Sequence, residues 1–195
     1  MKVLDENGET EMSNVIAALE EVLEIQENYS GTPAVVNISF GADVGTTEYT
    51  ALDEAVESLG DQGNVVVVSA GNEGIDASTV TPAHAQGAIT VGAYDVYNRF
   101  APFSNYGTSV DILAPGVDIL SLGTLDADLS LLTGVTMSGT SMAAPHVAGA
   151  ALLYLSQNRK ASPNRVRSAL LRASKDVITY SPANTTSKTV WLGGF

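Results

Sequence analysis

The hydrophobic positions in the first sixty residues follow the period of an α-helix in two places. A first helix is predicted from about Ser13, with one apolar face made of Val15, Ala18, Leu19, Val22 and Leu23. The opposite face is acidic and is interpreted as solvent-exposed rather than as a binding patch; it carries Glu20, Glu21, Glu24 and Glu27. A second helix is predicted after Thr46 or Thr47, with Ala51, Ala55, Val56 and Leu59 facing inward.

Short apolar runs between and after these helices predict strands at residues 34–39, 65–70, 88–92 and 110–113, and residues 1–4 have the pattern of another. The run at 65–70 is apolar on both faces, which is typical of a central strand in a parallel sheet. Residues 150–155 predict a buried helix, and Ser162 and Pro163 predict the start of a final one. This alternation predicts an α/β fold with a mostly parallel sheet, and no linker divides the chain into two domains.

The amino-acid composition argues for one folded core and against some classes of binding partner. The chain has 195 residues, 45% of them hydrophobic, which is enough for one sizeable core. Its formal net charge of −13 argues against nucleic-acid or anionic-membrane partners. No cysteine is present, so disulfides are excluded. No apolar run has the length of a membrane span, and the first residues lack the apolar segment of a signal peptide.

One hydroxyl in the chain has the surroundings of a nucleophile. Ser141 lies among small residues in the segment 138–149, directly before the predicted buried helix. Pro145 limits where that helix can begin, so Ser141 is expected at or just before its N-terminus. Free N–H groups and the positive end of the helix dipole would stabilise an oxyanion formed there. The alternative is that Ser141 is only a helix cap.

The segment Gly-Thr-Ser-Met-Ala-Ala-Pro-His-Val-Ala-Gly, residues 139–149, resembles the nucleophile motif of the subtilisin-like serine proteases, the subtilases. Phe-Ser-Asn-Tyr-Gly at 103–107 places the resemblance nearer the proteinase K branch, and it extends from Lys2 to about Ala173. It implies a three-layer α/β/α fold whose N-terminal strands are missing, so that residues 1–195 form a single incomplete peptidase domain. It also implies peptide-bond hydrolysis with Ser141 as nucleophile, and an extracellular location.

The resemblance assigns further site residues. Asn72, in Ser-Ala-Gly-Asn-Glu-Gly at 69–74, matches the family's oxyanion donor, although a Gly-Asn-x-Gly sequence alone is more typical of a simple tight turn. Backbone edges that hold a substrate peptide are expected at Gly8, Glu9 and Thr10, at Ser39, Phe40 and Gly41, and at Ser69, Ala70 and Gly71. Met12, Val15 and Phe40 are expected either to line a pocket for an apolar substrate residue or to be ordinary core.

The other two members of a catalytic triad have no match. A base must take the proton of Ser141 and a carboxylate must orient that base. His146 lies roughly 140° around the helix from Ser141, and His84 falls in a loop whose family counterpart is not the base. Asp5, Asp43 and Asp53 lack the family context, and both missing motifs are expected before residue 2.

The base and the carboxylate are therefore expected from a segment or chain outside this sequence. The alternative is a pseudoprotease that binds peptides without cleaving them. An α/β-hydrolase is a more distant alternative, because Ser141 does not lie in a Gly-x-Ser-x-Gly turn between a strand and a helix.

A structural calcium site is also implied. Proteinase K-like enzymes carry one, and Asp111 matches its carboxylate, with backbone carbonyls expected from Gln86 and Ala88. The alternative is that Asp111 is a surface residue at a strand end. No catalytic cofactor is expected.

Overall fold

A computed structural model describes residues 3–5, 9–28, 34–123 and 134–193, without the side chain of Glu27. Four α-helices and ten strands occur in this part of the chain. The helices are α1 (Met12–Asn28), α2 (Ala51–Asp61), α3 (Thr140–Gln157) and α4 (Pro163–Ala173). The strands are β1 (Val35–Ile38), β2 (Ala42–Asp43), β3 (Val65–Ser69), β4 (Val80–Thr81), β5 (Ala88–Tyr94), β6 (Ile112–Pro115), β7 (Ile119–Leu122), β8 (Gly134–Met137), β9 (Lys175–Asp176) and β10 (Lys188–Thr189).

The main sheet has six strands in the order β1-β3-β5-β6-β10-β9. Every pair in it is parallel except β9 with β10. The strands predicted at 34–39, 65–70, 88–92 and 110–113 are confirmed as β1, β3, β5 and β6. The two-residue strands β9 and β10 were not predicted, and the expected strand at residues 1–4 is wrong for Val3 and Leu4, which are irregular.

Helices cover both faces of this sheet, which confirms the three-layer α/β/α prediction. Helices α3 and α4 pack on one face, while α1 packs on α2 and α2 packs on the other face. Strand β3 shows why its run is apolar throughout: Val65 and Val67 join the core beneath α3, and Val66 and Val68 join the core beneath α2. Both faces of a central parallel strand are thus removed from water.

Helix α3 leaves one side uncovered within the described part of the chain. Its sequence is apolar nearly all round, as expected of a helix buried on every side. Yet the outer stripe is open to solvent, with Leu152 54% and Leu153 53% exposed and His146 and Ser156 exposed beside them. Strand β1 is also open, because it is the outermost strand of the sheet and pairs, among the described strands, only with β3. We call these two features together the open flank.

None of the described helices is both long and apolar enough to cross a membrane.

Candidate active site

Ser141 lies in the first turn of α3, as the sequence predicted. The helix begins at Thr140 after Gly139, which is its N-cap residue and makes no side-chain capping hydrogen bond. The N–H groups of a first helical turn have no partner inside the helix, and the helix dipole is positive at this end. The position therefore favours negative charge that develops next to the Ser141 oxygen.

Pro145 shapes the surroundings of Ser141 by removing a hydrogen bond. In a regular helix the N–H of residue 145 would donate to the carbonyl of Ser141, but proline has no N–H. The Ser39 hydroxyl, just after β1, donates to that carbonyl instead, with Oγ and O 3.1 Å apart. The Ser141 hydroxyl in turn donates to the Ser39 carbonyl at 2.8 Å. This reciprocal pair joins the start of α3 to the end of β1.

Asn72 lies beside the same helix start, and its side-chain oxygen is fixed there. Asn72 Oδ1 accepts from the Thr140 N–H at 2.8 Å and from the Thr140 hydroxyl at 3.0 Å. The Thr140 hydroxyl oxygen also accepts from the Gly71 N–H at 3.1 Å. Because the amide oxygen is held by two donors, the NH₂ group of Asn72 is directed away from them and remains able to donate.

The turn that carries Asn72 is organised by Asn105, whose role sequence reasoning missed. The buried amide of Asn105 donates to the Ala70 carbonyl at 2.9 Å and to Glu73 Oε2 at 2.8 Å. Its oxygen accepts the N–H groups of Glu73 and Ile75. The only signal in the sequence was the segment 103–107, which we used to place the chain near a branch of the family rather than to assign a contact.

Glu73 and Gly71 complete this turn. Glu73 Oε2 also accepts the backbone N–H of Asn72 at 2.9 Å, so one carboxylate oxygen links Asn72 to Asn105. Gly71 has φ of +100°, and a Cβ there would lie 2.2 Å from Asn105 Nδ2. Only glycine can therefore bring the backbone this close to the buried amide.

Both histidines have hydrogen-bond partners other than the Ser141 hydroxyl in the described structure. Both ring nitrogens of buried His84 are engaged, Nε2 with Asp53 Oδ2 at 2.8 Å and Nδ1 with the Ser78 carbonyl at 2.9 Å. Asp53 also forms the capping box of α2 with Thr50, so it has a structural role. His146 is exposed, and its Nδ1 bonds the Met142 carbonyl one turn earlier.

Two of the three segments expected to bind a substrate peptide lie next to each other. Residues 39–41 follow β1 and residues 69–71 include the end of β3; the two strands are parallel neighbours, so both segments lie at the same edge of the sheet. At Gly41 a Cβ would lie 2.5 Å from the Thr81 carbonyl, which explains the glycine. Glu9 and Thr10, which belong to the third expected edge, have no regular secondary structure. Glu9 instead donates its N–H to Asp5 Oδ1, and Gly8 lies outside the described residues.

An open apolar pocket lies beside the first of these edges. Met12, Val15 and Phe40 line it together, as expected, with Leu52 opposite. Thr10 and Gly41 are also part of its wall, so the pocket is continuous with two of the expected peptide edges. Val15 is at the same time a buried residue of the core, which was the alternative interpretation made from the sequence.

The residues of the expected calcium site do not fit a calcium ion. A guanidinium group from α4 lies between two of the three expected ligands: Arg167 Nη1 donates to the Gln86 carbonyl at 3.0 Å, and Nη2 is paired with Asp111 Oδ1. The other Asp111 oxygen accepts the Thr90 N–H, and Ala88 is buried at the start of β5. Burial raises the pKa of Asp111 above its usual value, against the opposing effect of Arg167. Among the described residues, no group of three or more acidic, histidine or cysteine side chains could hold a metal ion.

Known proteins resemble this chain over most of its length. Residues 1–190 match the subtilase family, peptidase S8. Subtilisin-like protease 3 of Pseudogymnoascus destructans is 39% identical over 189 residues, 94% of this chain and 44% of that protein. An extracellular serine proteinase of Thermus sp. is 42% identical over 187 residues, 93% of this chain and 43% of that protein.

A solved structure of a subtilisin-like protease has the same fold. The crystal structure of a cold-adapted subtilisin-like serine proteinase superimposes with a TM-score of 0.86 at 33% identity, covering 100% of this chain and 65% of that one. The chain thus spans less than half the length of the two relatives named above and about two thirds of the solved one. It belongs to the subtilase family of serine proteases.

Proposed function

We propose that this chain supplies the nucleophile and the oxyanion hole of a subtilisin-like serine endopeptidase. The observation that carries the proposal is the convergence of Ser141 and Asn72 on one helix start, through the 2.8 Å hydrogen bond from Thr140 N to Asn72 Oδ1. In the reaction, Ser141 Oγ attacks the peptide carbonyl carbon and the carbonyl oxygen becomes negatively charged. The Asn72 amide and the Ser141 N–H donate to that oxygen, with the helix dipole adding to the stabilisation.

The general base and its orienting carboxylate come, in this proposal, from a segment of subtilase sequence outside these 195 residues. The open flank supports this idea, because a helix as apolar as α3 normally has all sides covered. The location supports it as well. Strand β1 and α3 meet at the Ser39–Ser141 pair, so a segment covering the open flank would reach the nucleophile.

The substrate is proposed to be an extended peptide that lies along the edges at 39–41 and 69–71. Backbone hydrogen bonds would hold it as an added strand, and the pocket lined by Met12 and Phe40 would take an apolar side chain. We propose an extracellular location, because the Thermus relative is named an extracellular serine proteinase. The acidic charge supports neither nucleic acid nor anionic membranes as partners.

A peptide-binding module without catalysis is the second candidate. It is favoured by one observation: within the described residues the Ser141 hydroxyl donates to a backbone carbonyl and not to an imidazole. Against it stands Asn72, since a module that only binds peptides has no oxyanion to stabilise. The two candidates differ in what happens when a base is supplied.

The deciding experiment is to co-express the chain with the segment of a subtilase relative that carries the catalytic Asp and His, and to assay a chromogenic peptide. We expect strong turnover by the pair and almost none by the chain alone; in subtilisin itself, loss of the His lowers kcat by about 2 × 10⁶. Pairs with Ser141→Ala, or with the supplied His changed to Ala, should be inactive. A co-purifying pair that binds peptide but does not cleave it would establish the binding module instead.

A further inference from the structure

We infer that Arg167 is a built-in cation that occupies the place of a divalent ion, so that this part of the chain needs no calcium for its stability. The inference is separate from the proposed catalysis, because Arg167, Asp111 and Gln86 make no described contact with Ser141 or Asn72. It concerns how three distant parts of the chain are held together.

The first argument is geometric. A bound cation at this place would have to be shared by the Asp111 carboxylate and the Gln86 carbonyl, and the Arg167 guanidinium contacts both. A guanidinium presents several N–H donors in one plane, so a single side chain can bond two oxygens at once. Calcium requires its oxygen ligands at about 2.3–2.6 Å, and an ion that close to both oxygens would overlap the guanidinium that already contacts them.

The second argument is electrostatic. The Asp111 side chain is 10% exposed and that of Arg167 is 33% exposed, so the pair is mostly withdrawn from water. A buried carboxylate without a positive partner is strongly unfavourable. Arg167 already supplies that partner, and a further double positive charge beside it would be repelled. A calcium ion could enter only if the arginine moved out.

The third argument is that hydrogen bonds from two sides fix the turn at Gln86. Its backbone is held from α2 and its surroundings, since the Gln86 N–H donates to the Tyr49 hydroxyl and the Gly87 N–H donates to Glu57 Oε1. Arg167 adds a hydrogen bond to the Gln86 carbonyl from α4, which packs on the opposite face of the sheet. Its other partner, Asp111, directly precedes β6. One side chain therefore ties α4, the Gln86 turn and the start of β6, which is what a bound ion would otherwise do.

The test compares thermal unfolding of the 195-residue chain, followed by circular dichroism, in 10 mM calcium chloride and in chelator. We expect the two melts of the wild-type chain to coincide. Arg167→Gln should lower Tm by about 10 °C in chelator, because it leaves a mostly buried carboxylate unpaired. Calcium should then recover a large part of that loss, and adding Asp111→Asn to Arg167→Gln should abolish the recovery.

Two further variants keep the test decisive. Arg99→Gln removes an arginine from an exposed pair with Asp95 and should change Tm by less than about 2 °C in either condition. If Arg167→Gln does not fold, Arg167→Lys is measured instead. It keeps the positive charge, so its Tm should not change with calcium. The inference is wrong if calcium raises Tm of the wild-type chain and Asp111→Asn removes that rise. It is equally wrong if Arg167→Gln is stable without calcium, or is destabilised and gains nothing from it.

Discussion

Around Asn72 the described chain contributes the groups that orient the oxyanion amide, whereas around Ser141 the hydroxyl meets only a backbone carbonyl. Thr140 holds the Asn72 oxygen, and Asn105 and Glu73 hold the turn beneath it. Ser141 has the correct helix start but no described imidazole. Electrostatic stabilisation of the transition state can be built from one compact region, because it needs donors in fixed positions. Proton transfer needs a base brought across to the nucleophile.

The base for Ser141 is proposed to come with a segment that covers the open flank. The largest effect is therefore expected from a charge placed on that flank. Leu152→Glu would bury a carboxylate in any interface that covers α3, and should weaken association with the Asp- and His-bearing segment by at least about 100-fold. Titration of one part against the other, with peptide turnover as readout, measures this. Leu120→Glu is the matched control, since Leu120 is 72% exposed on the antiparallel pair β7–β8 and is not part of the open flank. Unchanged association of Leu152→Glu would place the interface elsewhere.

Asn72→Ala tests the oxyanion side in the assembled pair. It should lower kcat with little change in KM, because the amide bonds an oxygen whose negative charge exists only in the transition state. For the corresponding donor in subtilisin the known loss is roughly 10²–10³ in rate, and the same size is expected here. Steady-state kinetics on a chromogenic peptide give both constants. A rise in KM at constant kcat would instead assign Asn72 to ground-state binding.

Asn105→Ala should affect stability and catalysis together. It leaves buried backbone groups and Glu73 without partners, at a cost of about 3 kcal/mol in the free energy of unfolding. It should also lower kcat, because the Asn72 turn loses its support.

Asn64→Ala is the matched control for that variant. Asn64 is also fully buried and bonds the Leu59 carbonyl and the Ala34 N–H, at the opposite end of β3 from the Asn72 turn. Urea unfolding should show a similar loss, while kcat in the assembled pair stays unchanged. Equal effects on kcat would show that Asn105 acts only through overall stability.

Ser39→Ala should have the smallest effect. It removes the hydroxyl that donates to the Ser141 carbonyl but keeps the Ser39 carbonyl that accepts from Ser141. We expect about 1 kcal/mol of destabilisation and less than about a threefold change in kcat. A large kcat loss would mean that this hydroxyl sets the position of the nucleophile.

The parts of the molecule that sequence predicted are those whose signal is local. The apolar run of β3, the helix after Ser141 and the glycine-bounded turn at Asn72 each lie within a few neighbouring residues. Asn105 was missed because a buried amide that bonds Ala70 looks, in sequence, like any polar residue in a turn. The contact of Arg167 with two expected calcium ligands was missed for a related reason: the ligands were matched one by one, and the arginine lies 56 residues from Asp111. Strands as short as β9 and β10 have no periodicity to detect.

The hydrogen bond from Ser141 to Ser39 also bears on how molecules of this protein should be counted. Organophosphorus reagents such as fluorophosphonates modify a serine efficiently only when a neighbouring base accepts its proton, and here the proton is held by a carbonyl, which is a very weak base. The isolated chain should therefore escape activity-based profiling even when it is abundant and folded. Active-site titration would then report the number of assembled enzymes, and comparison with an antibody signal would give the assembled fraction directly.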